Sequence, residues 1–248
     1  MFRTCFLCWL TVSLFAGWGS LDIPALAETP AVAPGAISPE TPSDASAPLL
    51  VGITVHHRDV TTQSVLAQRY FDQGLNLSFA FNHDEAIRSF REAARLDPKC
   101  AMAWWGVAIC SGPHINNAEM DKPNSVIAWE ALQKAQDLQK FASPIERSLI
   151  DALALRYIDN ADENIAQREQ LDKRYCVAME RVHEQFPDDL DVAVWYAESM
   201  MNLRPWDLWS DDGNPRPGTP RILEVLENVM ARQPTHPGAN HLFIHAVE

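Results

Sequence analysis

Residues 64–97 read "SVLAQRYFDQGLNLSFAFNHDEAIRSFREAARLD", and this stretch decides the fold. Apolar or small residues recur at intervals of three and four: Ala67, Tyr70, Phe71, Gly74, Leu75, Phe79. After a break at "FNHD" they recur again at Ala86, Ile87, Phe90, Ala93 and Ala94. That period places one apolar stripe on each of two helices joined by a short turn. Asp84 is placed to cap the second helix, with Glu85 favourable in its first turn.

The same unit recurs along the chain. Prolines that stop a helix stand at "RLDPKC" (Pro98), "EQFPDD" (Pro187) and "ARQPTH" (Pro234), each after an amphipathic run and before another. The last two lie one repeat period apart, with a surplus that matches the loop 204–220, "RPWDLWSDDGNPRPGTP". The first two are two periods apart, with loops near 111–123 and 158–164 to absorb the excess. Four units therefore fit, with insertions, and no β-rich run interrupts them. The reading is an all-α chain of stacked helical hairpins.

The 64–97 unit resembles a tetratricopeptide repeat. The pattern W-x2-L-G-x2-Y…A-x3-F…P is met at Gly74, at Ala86 and Phe90, and at Pro98. Tyr70 stands for the Trp and Leu77 for the Tyr, while Gln73 departs where Leu is usual. Small residues at Gly74 and Ala86 would let the helices approach, with Phe90 filling the space beside them. The stretches "FNHDEAIRSFREAARLDP", "CAMAWWGVAICSGPHIN", "LRPWDLW" and "HPGANHLFIHAVE" are similar to a family of exported bacterial tetratricopeptide-repeat proteins of unsettled activity. The similarity runs from about residue 50 to the end. It implies a right-handed superhelical TPR-like solenoid with irregular loop insertions, and an exported location. Members of that family continue with further helices, so the resemblance also implies that the domain is incomplete at its C-terminus.

The N-terminus agrees with export. Arg3 opens a short positive start, "CFLCWLTVSLFAGW" is apolar but too short for a comfortable span, and Ala25-Leu26-Ala27 is a cleavage pattern. Residues 1–27 read as a signal peptide. Residues 28–50, rich in Pro, Ala, Ser and Thr, read as a disordered linker. Residues 51–248 read as the helical domain. No later stretch suits a membrane span, so the mature protein is expected in the periplasm or secreted, without stable membrane insertion. Its formal net charge is −13, and no Lys/Arg cluster offsets it, which argues against a nucleic-acid partner. Three cysteines remain after the signal: Cys100, Cys110 and Cys176. Cys100 and Cys110 lie ten residues apart on one expected helix, about 15 Å, too far to pair. Buried apolar thiols are the expectation.

No phosphate loop, nucleophile elbow or readable carboxylate pair appears. The leading expectation is a non-enzymatic module that holds a protein or peptide in a concave groove. The resemblance implies that the first helix of each unit lines it. Counting from Gly74 and the three prolines gives Phe71, Leu75, Trp105, Ile109, Glu198, Met201, His241 and His245 as groove positions, apolar at one end and polar at the other. The alternative is a metal-binding or metal-dependent protein. His241 and His245 stand four apart on one helix face and can share a divalent ion such as zinc through imidazole nitrogens, with Glu248 as a further ligand or as a group that orients one. A third expectation is a fragment whose site lies in residues beyond this sequence. His83 and His114 fall in turns, where imidazoles usually bond locally or face water. Trp206 and Trp209, in the 204–220 loop, are expected to pack back on neighbouring helices.

Overall fold

The structure, a computed structural model, describes residues 46–159 and 165–248; the expected signal peptide and most of the expected linker lie outside the described residues. Among the described residues there are nine α-helices and no strand: α1 Val65–Phe79, α2 His83–Leu96, α3 Ala101–Cys110, α4 Lys122–Asp137, α5 Pro144–Leu153, α6 Ile165–Gln185, α7 Leu190–Met201, α8 Thr219–Arg232 and α9 Pro237–Val247. No described helix is long and apolar enough to cross a membrane.

The helix limits follow local chemistry. Pro98, Pro187 and Pro234 each lie two residues past the end of a helix, α2, α6 and α8 respectively. Ser64 caps α1 through Ala67 N–H, Asp189 caps α7 through Val192 N–H, and Ser143 with Glu146 forms a reciprocal capping box on α5. Helix α2 starts one residue before the expected cap: Asn82 holds the cap position without a side-chain bond, and Asp84 lies inside the first turn beside Glu85.

Each helix packs on the next, and α1 packs on α3 as well. The contact between α1, α2 and α3 turns on Phe90. A Cβ at Gly74 would meet its ring at 2.7 Å, and one at Gly106 would meet it at 2.6 Å. Both glycines are therefore required by the approach of two helices to one ring. Gln73, unusual for the repeat pattern, is 1% exposed because it holds the chain that leads into the domain. Its amide oxygen accepts from Leu50 N–H at 2.6 Å, and its amide nitrogen donates to Pro48 O. Ala47 and Leu49 are buried beside it, so 46–50, expected in the linker, is packed against α1 and α2.

Helix α9 also reaches back to α1. A Cβ at Gly238 would strike the Phe79 ring at 2.6 Å. Trp105 of α3 lies edge-on to Trp195 of α7, with ring centres 4.7 Å apart, and Phe79 lies 6.2 Å from the same Trp195. The first helices of the hairpins thus meet one another through large aromatic side chains. Cys100, Cys110 and Cys176 are unpaired and buried, and burial pushes each thiol up, Cys100 to about 12.

Candidate functional site

The expected groove is filled along most of its length. Phe71, Leu75, Trp105 and Met201 are at most 1% exposed and offer no surface to a ligand. The physical reason is the return of α9 to α1 together with the Trp105–Trp195 contact, which close the inner faces on each other. Ile109 and Glu198 instead line a small cavity of about 30 Å³ with Phe81, His83, His114, Trp195 and Leu242. No described residue hydrogen-bonds the Glu198 carboxyl, and burial raises its pKa against the pull of Arg156.

At the outer side of Phe81 the closing helix brings its two histidines together. His241 Nε2 and His245 Nε2 face each other at 3.0 Å. The partners of the other ring nitrogens set the tautomers. His241 Nδ1 lies 2.5 Å from Phe79 O, and a carbonyl can only accept, so Nδ1 carries the hydrogen. His245 Nδ1 lies 3.1 Å from Glu248 Oε2 and donates to that carboxylate. In the neutral rings both Nε2 atoms are therefore bare, and two lone pairs are aimed at one another. Such a pair needs a cation between its members, either a proton or a metal ion. The Glu248 carboxylate is engaged by His245 Nδ1, the kind of contact that orients an imidazole ring. An ion about 2.0–2.1 Å from both nitrogens would subtend roughly 90–100° at this separation, and a slight opening reaches tetrahedral values.

His83 and His114, expected to act locally, sit beside this pair. Their rings are 4.3 Å apart, edge to face. The Phe81 ring lies between the four imidazoles, 4.3 Å from His241, 5.4 Å from His114, 5.5 Å from His83 and 5.8 Å from His245. Burial and the neighbouring His114 and His241 lower His83 to about 4, so it stays neutral at ordinary pH. His114 is lowered too, chiefly by burial, and its Nδ1 is buried without a partner. Phe81 holds a left-handed backbone, φ +58°, which costs a residue of this size about 1–3 kcal/mol.

A second cluster joins His56, Asp191 and His236, all buried. Among the described residues it is the one group of three metal-type side chains whose ligand atoms lie within 4.8 Å of one another. Its hydrogens are already assigned. Ala239 N–H donates to His236 Nδ1, so His236 Nε2 carries a hydrogen to Asp191 Oδ1 at 3.2 Å. The Gln233 amide faces His56 Nδ1, and His56 Nε2 donates to the same oxygen at 2.7 Å. Arg58 meets Asp191 Oδ2 at 3.0 Å and Asp189 at 2.8 Å. This network, with hydrogen bonds and Arg58 holding Asp191 far below the usual carboxylate range, ties the entering segment to α7 and α9 and leaves neither imidazole a free lone pair for a metal.

The 204–220 loop divides its tryptophans. Trp209 packs back as expected and donates from Nε1 to Ala246 O at 2.8 Å. Trp206 does not: it is 55% exposed, with φ +60°, and stands edge-on to His245 at 5.2 Å. Of the sequence candidates the structure therefore joins His241, His245 and Glu248, and adds His83 and His114. No family model matches this chain, and neither does any curated protein or solved structure.

Proposed function

We propose that this chain is an exported, TPR-like helical-repeat protein that binds a divalent transition metal through Nε2 of His241 and Nε2 of His245. One observation carries the reading: two bare imidazole nitrogens face each other at 3.0 Å while both Nδ1 atoms are committed to oxygen acceptors. Metal-ligating histidines are generally oriented in this way, by a carbonyl or carboxylate on the second nitrogen. Imidazole pairs suit zinc, copper and nickel. The repeat reading is supported by the Gly74–Phe90–Gly106 packing and by the regular proline stops. Export is supported by the sequence of residues 1–27.

The test is metal content. The full chain, purified without a polyhistidine tag, is expected to retain about one equivalent of zinc or a similar ion, and His241→Ala to lose it. Near-zero metal in both, including after incubation with zinc and desalting, sinks the reading.

A protein or peptide partner is the second reading. Its support moves from the buried Phe71 and Trp105 to Trp206, whose exposed ring stands beside the histidine pair. No catalytic residue is proposed.

A further inference from the structure

Four of the eight histidines in the sequence surround the single ring of Phe81. They come from three separate segments: the start of α2, the loop after α3, and α9. A cluster kept only for packing would have its ring nitrogens satisfied, because a buried polar atom without a partner is costly. Here it does not. His114 Nδ1 is buried and unpartnered. The one strained residue of the cluster is the one at its centre, Phe81, with φ +58°. On its inner side the ring borders the same small cavity, of about 30 Å³, that His83 and His114 line.

We propose, resting on the reading of His241 and His245 as a metal pair, that His83 and His114 complete the coordination of the same ion, and that Phe81 occupies the centre of this four-imidazole site until the metal displaces it. Four neutral imidazoles make a borderline-soft nitrogen set, suited to zinc or cobalt and poorly suited to calcium or magnesium. Displacement of Phe81 would relieve its left-handed backbone and give His114 Nδ1 or its ring partner an acceptor role. The turn between α1 and α2 would carry the change: Phe81 N–H is bonded to Ser78 O and Asn82 N–H to Leu77 O, so moving Phe81 exchanges the capping bonds at the end of α1 for metal ligation, and the body of each helix is not involved.

The experiment uses the full, untagged chain, stripped by chelator and titrated with Co2+, with Zn2+ as competitor. His83→Gln and His114→Gln are each expected to weaken Co2+ binding by at least about tenfold, the smallest effect usual even for a group that only orients a ligand. Phe81→Gly is expected to bind more tightly than the natural chain. The visible spectrum of the unaltered chain gives a measure that needs no variant: four imidazoles give the intense bands of four-coordinate cobalt, and two imidazoles with water give the weak bands of six-coordinate cobalt. Weak bands overturn the proposal. So does unchanged Co2+ affinity in both His83→Gln and His114→Gln, with helix content retained by circular dichroism, while His241→Gln abolishes binding. If His241→Gln also leaves binding unchanged, the paired-histidine reading has failed, and this one with it.

Discussion

At the start of α9, His236 hands a hydrogen to Asp191 and takes one from Ala239 N–H; one helical turn on, His241 points a bare nitrogen at that of His245. The two clusters share Phe79, whose ring packs on His56 and His236 and whose carbonyl holds His241. In the first, donors and acceptors alternate around an ionised carboxylate and an arginine. In the second, oxygen acceptors take both Nδ1 hydrogens and leave the Nε2 lone pairs opposed. Proximity of metal-type residues therefore does not identify a metal site. The first cluster gathers more ligand-type atoms but no free imidazole lone pair; the second has fewer converging atoms and two opposed imidazole lone pairs.

The largest expected effect breaks the first cluster. Asp191→Ala leaves the Arg58 guanidinium facing Asp189 alone and strands two buried imidazole N–H groups. Removing one partner of a buried charge pair costs about 3–5 kcal/mol, read as a lower urea midpoint. A change under about 1 kcal/mol would show that the network holds nothing together. The metal site should survive in whatever fraction stays folded.

Zinc sharpens the contrast from the other side. At free zinc about 100 times the dissociation constant, a site present only in the folded chain adds about 2.7 kcal/mol. That gain should vanish in His241→Ala and persist in His236→Gln. The reverse pattern would move the metal to the Asp191 cluster.

Much of the fold is legible in the sequence because helix geometry is local. The spacing of Ala67 to Phe79 and of Ala86 to Ala94 follows from it, as do the proline stops. The same periodicity places His241 and His245 on one face. Closure is not legible in this way. Gly238 meeting Phe79, and Trp195 meeting Trp105, are contacts between residues about 160 and 90 positions apart. A repeat pattern taken alone favours an open groove, and so it assigns Phe71 and Trp105 to a surface that the fold buries. Periodicity is equally silent about His83 and His114, which stand at turns. No spacing in the sequence singles them out: His83 opens α2 just past the end of α1, on which α9 packs, and His114 lies in the loop after α3.

Acid separates the clusters in a predictable direction. The folded pKa of Asp191 lies below its unfolded value near 3.8, so the unfolded chain binds the proton more readily. The stability it contributes is fully present above about pH 4 and is lost as pH falls further. Comparing urea midpoints of the natural chain and Asp191→Asn, the gap should be constant from pH 7 to pH 5 and narrow below pH 4. A gap that closes already near pH 6 would assign the titration to the imidazoles instead.

The smallest effect is the most discriminating. In metal-free protein His245→Gln removes one of two opposed lone pairs and can place an amide N–H against His241 Nε2, turning a repulsive contact into a hydrogen bond. The ring is only 14% exposed and packs on Phe81 and Trp206, so some packing is lost, but the new hydrogen bond offsets it and the net cost should stay under about 1 kcal/mol. His236→Gln, the same exchange at the start of the same helix, removes a ring nitrogen that caps α9 and a hydrogen that Asp191 accepts, and should cost about 1–3 kcal/mol. Urea titration of the two variants, both stripped of metal, measures the difference directly. If His245→Gln proves as damaging as His236→Gln, then a proton already bridges His241 and His245, the pair is a satisfied imidazole–imidazolium contact, and the geometry that argues for a metal has its explanation without one.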